Sequence, residues 1–143
     1  MNYLTNKRFS FISDALSPDT FGVVKFAGTE GLSECYAFDV TLVSDSLEID
    51  LQGVMENPAR LVLHRDEGDD VTYHGILLSF EQLNEVNKLA FYRAHLVPRL
   101  TWLSFTQHNQ VFLDKTVPEI IEACLKDGGL TGADFEMRLK GSY

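Results

Sequence analysis

The sequence lacks the features that identify membrane-spanning proteins, disulfide-rich secreted proteins and several enzyme classes. Its 143 residues include only two cysteines, Cys35 and Cys124, which form no CxxC pair. They favour reduced, partly buried thiols over a disulfide scaffold. No run of about 18 apolar residues occurs, which excludes a membrane-spanning helix. The segment Met1–Ser13 has no apolar core of signal-peptide length, so no signal peptide is predicted.

Motifs for phosphate binding and nucleophilic catalysis are also missing. The chain has no GxxxxGKS/T, GxGxxG or GxSxG pattern, and its GTEG segment (28–31) is typical of a turn. Ser79, His74 and Asp70 lie close in sequence without a nucleophile elbow, so they support only a weak hydrolase hypothesis. Acidic residues around Gly68 lack the ligand spacing of an EF-hand and indicate a polar hairpin loop rather than a calcium site; they are Asp66, Glu67, Asp69 and Asp70.

Four histidines are present, and His64, His74 and His95 lie on three predicted strands. Three imidazoles brought together in a closed sheet could bind zinc, although separate histidines on strand faces are the favoured interpretation. His108 lies beyond these strands. These patterns predict no catalytic, cofactor-binding or metal-binding residue, no cofactor and no enzymatic activity.

Acidic residues are concentrated in one part of the chain. The formal net charge of −9 divides into −12 over residues 14–85, +2 over 1–13 and +1 over 86–143. Such an acidic stretch repels phosphate backbones, so we predict that the protein does not bind nucleic acid. The stretch is either a solvated surface or a face that meets a complementary partner.

The apolar pattern is mostly that of β-strands. Residues Tyr36–Val43 alternate between an apolar and a mixed face, which is the period of a half-buried strand. Gly75 lies where the apolar phase changes and predicts a β-bulge or a sharp bend, and Asn84–Asn87 is predicted to be a turn. The other predicted strands are Arg8–Ile12, Phe21–Ala27, Ala59–Arg65, Val71–Leu83 and Leu89–Val97.

One helix is clearly predicted, over residues 117–127. Thr116 and Glu119 form a capping-box pattern around Pro118, and Gly128 and Gly129 end the helix. A short helical turn is expected at 51–55 and a last strand at 135–139. Trp102 with Leu100, Leu103 and Phe105 is predicted to pack in the core, with a subunit interface as the alternative.

This order of elements contains no βαβ rhythm, which argues against a parallel doubly wound sheet. It favours a mainly β fold, with an antiparallel β-barrel or strongly curved sheet followed by one α-helix and a short strand. The length suits one domain, or one domain plus part of another, with a boundary expected near 107–114.

Three blocks of the sequence carry a resemblance to a known family. They are FGVVKFAGTEGLSECYAFDVTLVSD (21–45), YHGILLSFEQL (73–83) and FYRAHLVPRLTWLSFTQHNQVFLDKTVPEII (91–121). In this order they resemble the opening, the His-Gly-Ile segment and a later stretch of the Vgr family, the spike-hub components of type VI secretion systems. The first block holds the family's motif positions with Gly28, Glu30, Leu32, Ser33, Tyr36, Phe38, Leu42 and Ser44.

The resemblance, which extends to the baseplate hub of contractile phage tails, implies an architectural protein. Residues 1–110 would form the first hub domain, a tail-tube-like β-barrel, and residues 111–143 would begin a second hub domain. The full-length chain would form a homotrimer that caps the hexameric tube protein and carries effectors or adaptors. It would be made in the bacterial cytoplasm, assembled on the secretion apparatus and secreted without a signal peptide.

Family members are much longer, so this chain is expected to be an N-terminal fragment. Two other functions stay open from the residues alone. One is a stand-alone β-barrel module that binds a small ligand or a glycan, for which an open apolar cavity would be expected. The other is the hydrolase suggested by scattered serine, histidine and aspartate side chains.

Overall fold

The computed structural model describes residues 8–107, 109–141 and 143. The chain divides into two compact units, residues 1–98 and 99–143. The boundary expected between residues 110 and 111 stays a prediction. Within the described ranges, no helix has both the length and the apolar character needed to cross a membrane.

The first unit is a six-stranded antiparallel sheet that curls into a half-barrel, which confirms the predicted mainly β fold. Hydrogen-bonded neighbours follow the order β1-β4-β5-β6-β3-β2. The strands are Phe9–Ser13 (β1), Gly22–Gly31 (β2), Glu34–Ser44 (β3), Ala59–Leu63 (β4), Val71–Val86 (β5) and Leu89–Val97 (β6).

Aromatic contacts show how far the sheet curls. β1 and β2 stand at opposite ends of the strand order, yet the rings of Phe9 and Phe26 lie 5.0 Å apart between centroids, in an edge-to-face contact. Phe11 contacts Phe21, just before β2, at 6.0 Å. Two ends of one sheet can meet in this way only if the sheet bends around the side chains between them.

Large side chains fill the space inside the curled sheet. Phe80 and Tyr92 stack with their centroids 5.4 Å apart, and Phe21 meets both rings edge-on at 5.7 Å. Tyr92 is fully buried, and this burial raises the pKa of its phenol above the usual value. Buried aromatic rings contribute large apolar areas to stability, so this cluster is the centre of the core.

A short helix, α1, closes part of the core at residues Leu51–Glu56, where a helical turn was predicted. It begins at Asp50, whose side chain accepts a hydrogen bond from the Gly53 backbone N–H at 3.1 Å. That bond satisfies one of the free N–H groups of the first turn. Val54 of this helix is fully buried. The cap therefore stabilises the helical turn that places the Val54 side chain in the core.

Strand β5 changes its hydrogen-bonding partner halfway along its length. It pairs with β4 from Val71 to Gly75, and with β6 from Ile76 to Val86. Gly75 therefore lies where the pairing partner changes, but the predicted change of face lies further along. A register irregularity between Leu77 and Ser79 moves the buried positions, so that Leu77 and Phe80 point into the core.

The turn predicted at Asn84–Asn87 is wrong. β5 continues to Val86, and the hairpin turns at Asn87 and Lys88, which both have positive φ, 52° and 63°. Two consecutive left-handed residues match the twist of the flanking strands in a two-residue hairpin turn. Asn84 is polar, as turn residues often are, but it lies in the exposed part of a paired strand. Its polarity therefore does not indicate a turn.

The second unit contains a 3₁₀ helix, Arg99–Phe105, and α2, Val117–Asp127, whose bounds match the prediction. The Glu119 carboxylate accepts from the backbone N–H of Thr116 at 2.7 Å and from its hydroxyl at 2.9 Å. These bonds stabilise the charged form and lower the pKa of Glu119. Gly129, at φ 81°, follows the end of the helix as predicted.

The strand predicted at 135–139 is not formed. Phe135 and Met137 are half-buried and Leu139 is exposed, so the alternation of exposure is present without strand pairing. Alternation supplies a face, but a strand also needs a neighbour to take its backbone hydrogen bonds. Among the described residues of this unit there is no other strand to pair with.

We expect Gly75→Ala to lower the stability of the first unit by about 1–3 kcal/mol, because a methyl group there would overlap the Val97 carbonyl oxygen. A backbone atom of a paired strand cannot move aside as a side chain can. Gly31→Ala is the matched control within a strand, since its nearest neighbour is the Glu34 carboxylate at 3.3 Å. Thermal unfolding followed by circular dichroism measures both variants, and equal melting temperatures would contradict the prediction.

Candidate assembly surface

Several strands of the first unit leave an edge open. Among the strands that the structure describes, β1 is hydrogen-bonded to β4 alone, β2 to β3 alone, and β5 beyond Gly75 to β6 alone. We call Gly22–Gly31 the β2 edge and Ile76–Val86 the β5 edge. They bound the four-stranded part of the sheet, β5-β6-β3-β2, on its two opposite sides. Open edges present unpaired backbone groups and are ready to pair with another strand.

The two edges share the same features. Register irregularities, which are one way that proteins discourage edge-to-edge pairing, lie near Val24 and Glu30 on the β2 edge and near Leu78 and Leu83 on the β5 edge. Both edges also expose apolar side chains, with Val24 at 49%, Leu83 at 40% and Val86 at 48% exposure. Exposed apolar residues on an unpaired strand are costly in an isolated protein, so both edges are candidates for an interface.

The hairpin between β2 and β3 presents one fully exposed leucine. Leu32, at 99% exposure, occupies the tip beside Ser33, whose φ is 66°. The arm of the hairpin is tied to β5, because the Tyr73 hydroxyl donates to Glu30 Oε2 at 2.7 Å. The GTEG segment (28–31), predicted to be a turn, is therefore the end of strand β2, and the turn lies at Leu32 and Ser33.

The solvent-facing side of the four-stranded part is polar. His95 Nδ1 lies 2.8 Å from Asp39 Oδ1 across β6 and β3, and Arg93 contacts Glu81 at 3.3 Å across β6 and β5. The strand register places one polar row across all four strands, formed by Lys25, Thr41, Arg93 and Glu81. This face carries both signs of charge and suits contact with water rather than burial.

The acidic stretch found in the sequence gathers partly at one end of the sheet. Glu30 of the β2–β3 hairpin and Asp66 and Glu67 of the β4–β5 loop line one cavity of about 660 Å³. Arg8 and Arg65 line the same cavity, so its charges are of both signs. The loop turns at Gly68, whose φ is 88°, in agreement with the predicted polar hairpin loop.

The aromatic segment after β6 is largely exposed. Trp102 and Phe105 contact each other at 6.1 Å and are 54% and 63% exposed, so the predicted core packing is wrong for these two residues. The following residues repeat this pattern, because α2 has no buried residue and several large apolar side chains face solvent: Val111, Leu113, Val117 and Ile121. The prediction took core packing as the default for a cluster of apolar side chains.

The predicted histidine, cysteine and serine candidates have separate surroundings. His64 contacts Ser10 and Asp70, His95 contacts Asp39, and no group of three potential ligands that could hold a metal is found among the described residues. His108 lies outside the described residues. Asp70 therefore pairs with His64 rather than with His74, and Ser79 is not part of that group. Both thiols, Cys35 and Cys124, are free but exposed, rather than partly buried as predicted.

The packing inside the curled sheet tests the hypothesis of a stand-alone ligand-binding module. Such a module would need an open apolar cavity, but the curled sheet is filled by Phe11, Phe21, Phe80 and Tyr92. Packing of this kind is that of a protein core. The filled interior therefore counts against a ligand-binding barrel.

Comparison with known families gives a match over most of the chain. Residues 29–143 match the family model described as the phage tail baseplate hub (GPD). Among solved structures, the chain is similar to the Escherichia coli c3393 protein, with a TM-score of 0.69 and 26% identity over 82% of this chain and 31% of that one. That protein is described as a component of the type VI secretion system with structural similarity to the T4 bacteriophage tail proteins gp27 and gp5.

Curated relatives are spike proteins of the same kind. The chain is 32% identical over 142 residues to the type VI secretion system spike protein VgrG4b of Pseudomonas aeruginosa, which covers 99% of this chain and 17% of that protein. It is 35% identical over 119 residues to VgrG5 of the same organism, covering 83% and 15%. The chain thus spans less than a fifth of the length of these relatives.

These comparisons confirm the resemblance to Vgr proteins that three blocks of the sequence indicated. The matched region contains β3, β4, β5, β6 and α2, so it includes the β5 edge and most of the four-stranded part of the sheet. The chain belongs to the phage tail baseplate hub (GPD) family.

Proposed function

We propose that this chain is part of the hub of a type VI secretion spike, within a contractile injection apparatus like a phage tail. The observation that carries the proposal is the family match over residues 29–143, a region that includes the open β5 edge. In the complete protein, the hub forms a trimer and caps a hexameric secreted tube, and effectors or adaptors travel with it. This role is mechanical and requires no catalytic step.

The open edges support a ring-shaped assembly. The β5 edge and the β2 edge lie on opposite sides of one sheet. If the β5 edge of one domain pairs with the β2 edge of its neighbour, the contact is head-to-tail. Head-to-tail contacts close into a ring when the rotation between copies allows it. Backbone hydrogen bonds along both strands would then supply the contact, and the polar row from Lys25 to Glu81 would stay in water.

Two related domains in each chain would reconcile a trimer with a hexameric tube. We propose residues 1–110 as the first hub domain, a tail-tube-like barrel, and residues 111–143 as the start of the second. The exposed apolar side chains of Val111, Leu113, Val117 and Ile121 support the second assignment, because such residues normally pack inside a domain. Six barrels, two from each of three chains, would match the symmetry of the tube.

We also propose how the hub reaches its place of action. It is made in the bacterial cytoplasm, assembles on the secretion apparatus and leaves the cell with the tube, without a signal peptide. The acidic end of the sheet, with Glu30, Asp66 and Glu67, offers a surface for a partner of opposite charge.

The complete protein that contains this chain should be trimeric and should bind the tube protein. We expect its mass in solution, measured by light scattering after size exclusion, to be three times that of the chain, and the tube protein to co-purify with it. A matched complete protein that lacks residues 8–98 should lose the tube. A monomeric complete protein without affinity for the tube would overturn the proposal.

Lysines on the β5 edge should weaken the assembly without unfolding the domain. Because Leu83 and Val86 are 40% and 48% exposed, we expect Leu83→Lys with Val86→Lys to change the free energy of unfolding by less than about 0.5 kcal/mol per site. The same charges on an open edge oppose strand pairing, so trimer formation or tube binding should fall. Leu47→Lys is the matched control, since Leu47 is 41% exposed and lies outside the strands. Unchanged assembly of the double variant would exclude the β5 edge.

A further inference from the structure

Three side chains at the β1–β4 end of the sheet form a hydrogen-bonded chain that the assembly role does not use. Ser10 Oγ lies 2.8 Å from His64 Nε2, and His64 Nδ1 lies 2.7 Å from Asp70 Oδ2. Ser10 is in β1, His64 directly follows β4, and Asp70 directly precedes β5. Serine, histidine and carboxylate in this order match the arrangement in which a base activates a nucleophile and a third group orients the base.

The partners of His64 determine which ring nitrogen carries the proton. A carboxylate accepts hydrogen bonds and does not donate them, so Nδ1 holds the hydrogen that faces Asp70. In the neutral ring, Nε2 then has a free lone pair, and the Ser10 hydroxyl donates to it. This tautomer is the one that can take the serine proton.

Asp70 is held in its charged form by its surroundings. The hydrogen bond from His64 and a further one from the Arg65 backbone N–H, at 3.3 Å, lower the pKa of the Asp70 carboxyl. The Asp70 carboxylate can therefore accept the Nδ1 hydrogen and hold the His64 ring in this orientation.

The group is open to solvent rather than enclosed in a cavity. The side chains of His64 and Asp70 are 36% and 44% exposed, so a small electrophile can reach them. A cavity of about 660 Å³ at the same end of the sheet has His64 in its lining, but Ser10 and Asp70 are not among its lining residues.

We propose that Ser10 is a reactive nucleophile that takes the acyl or phosphonyl group of a small ester, with His64 as its base and Asp70 as a positioning residue. Ser10 Oγ bonds to the carbonyl carbon while its proton moves to His64 Nε2. The bond from that carbon to the leaving oxygen then breaks, and the leaving group takes the proton from His64. The acyl group stays on Ser10 until water removes it by the same proton transfers. This reactivity is independent of the proposed role in the spike.

A fluorophosphonate probe tests the proposal on the intact chain, because the Ser10 oxygen displaces fluoride from phosphorus and hydrogen fluoride leaves. We expect one adduct per chain, located on Ser10 by peptide mass spectrometry. Labelling of Ser10 should be about 100-fold slower in His64→Gln, which lacks the base. Asp70→Asn should also slow it, and Asp70→Glu should restore part of the rate.

Ser79 provides the matched control. It lies directly across from His95, which is paired with an aspartate as His64 is, yet the described residues show no hydrogen bond between Ser79 and the His95 ring. Ser79→Ala should leave the labelling rate of Ser10 unchanged, and Ser79 itself should not react.

Stability measurements separate reactivity from a purely structural role. If the three side chains only tie the β4–β5 loop to β1, the variants lower the melting temperature while Ser10 of the native protein reacts no faster than in urea. That outcome overturns the proposal, and the comparison of folded with unfolded chain decides it even if Asp70→Asn fails to fold. Faster labelling in the folded chain, lost in His64→Gln at an unchanged melting temperature, supports it.

Discussion

The exchange of hydrogen-bonding partners along β5 is the constraint on which the rest of the first unit depends. β5 is a single strand of 16 residues. Its first part is hydrogen-bonded to β4 and its second part to β6, and Gly75 lies at the junction. A side chain there would meet the backbone of β6, so the approach of the two strands requires glycine. Because β4 and β6 pair with successive parts of β5, the sheet bends at this point and the aromatic rings of its two ends meet.

The same exchange explains both the filled core and the free edge. Where the sheet bends, its inner face encloses Phe21, Phe80 and Tyr92, and their edge-to-face and stacked contacts fill the interior. Beyond the end of its pairing with β4, β5 continues with one side unpaired, and its side chains Leu83 and Val86 are exposed to solvent. A fold that closes one part of its sheet around a core thus leaves another part ready to pair. That combination suits a subunit of a larger assembly.

Local patterns in the sequence were sufficient wherever the structure is decided by neighbours in the chain. The bounds of α2 follow from Thr116, Glu119 and the glycines after Asp127, and β6 runs from Leu89 to Val97 as its apolar pattern predicted. Positions decided by distant contacts were missed. The register irregularity near Leu78 depends on how β5 meets β6, and the exposure of Trp102 depends on what packs over the 3₁₀ helix. The strand expected at 135–139 failed for the same reason, since its alternation lacked a partner.

The candidate site illustrates that limit most clearly. Ser10 and His64 are 54 positions apart in the sequence and no local motif connects them, so the sequence offered Ser79, His74 and Asp70 instead. Their contact is set by the pairing of Phe9 with Leu63 in the β1–β4 ladder, which places the two side chains next to each other at the sheet's end. β1 and β4 lie outside the four-stranded part that carries the β2 edge and the β5 edge. An assembly through those edges would therefore leave the Ser10 group intact, and a reactive serine is compatible with an architectural fold.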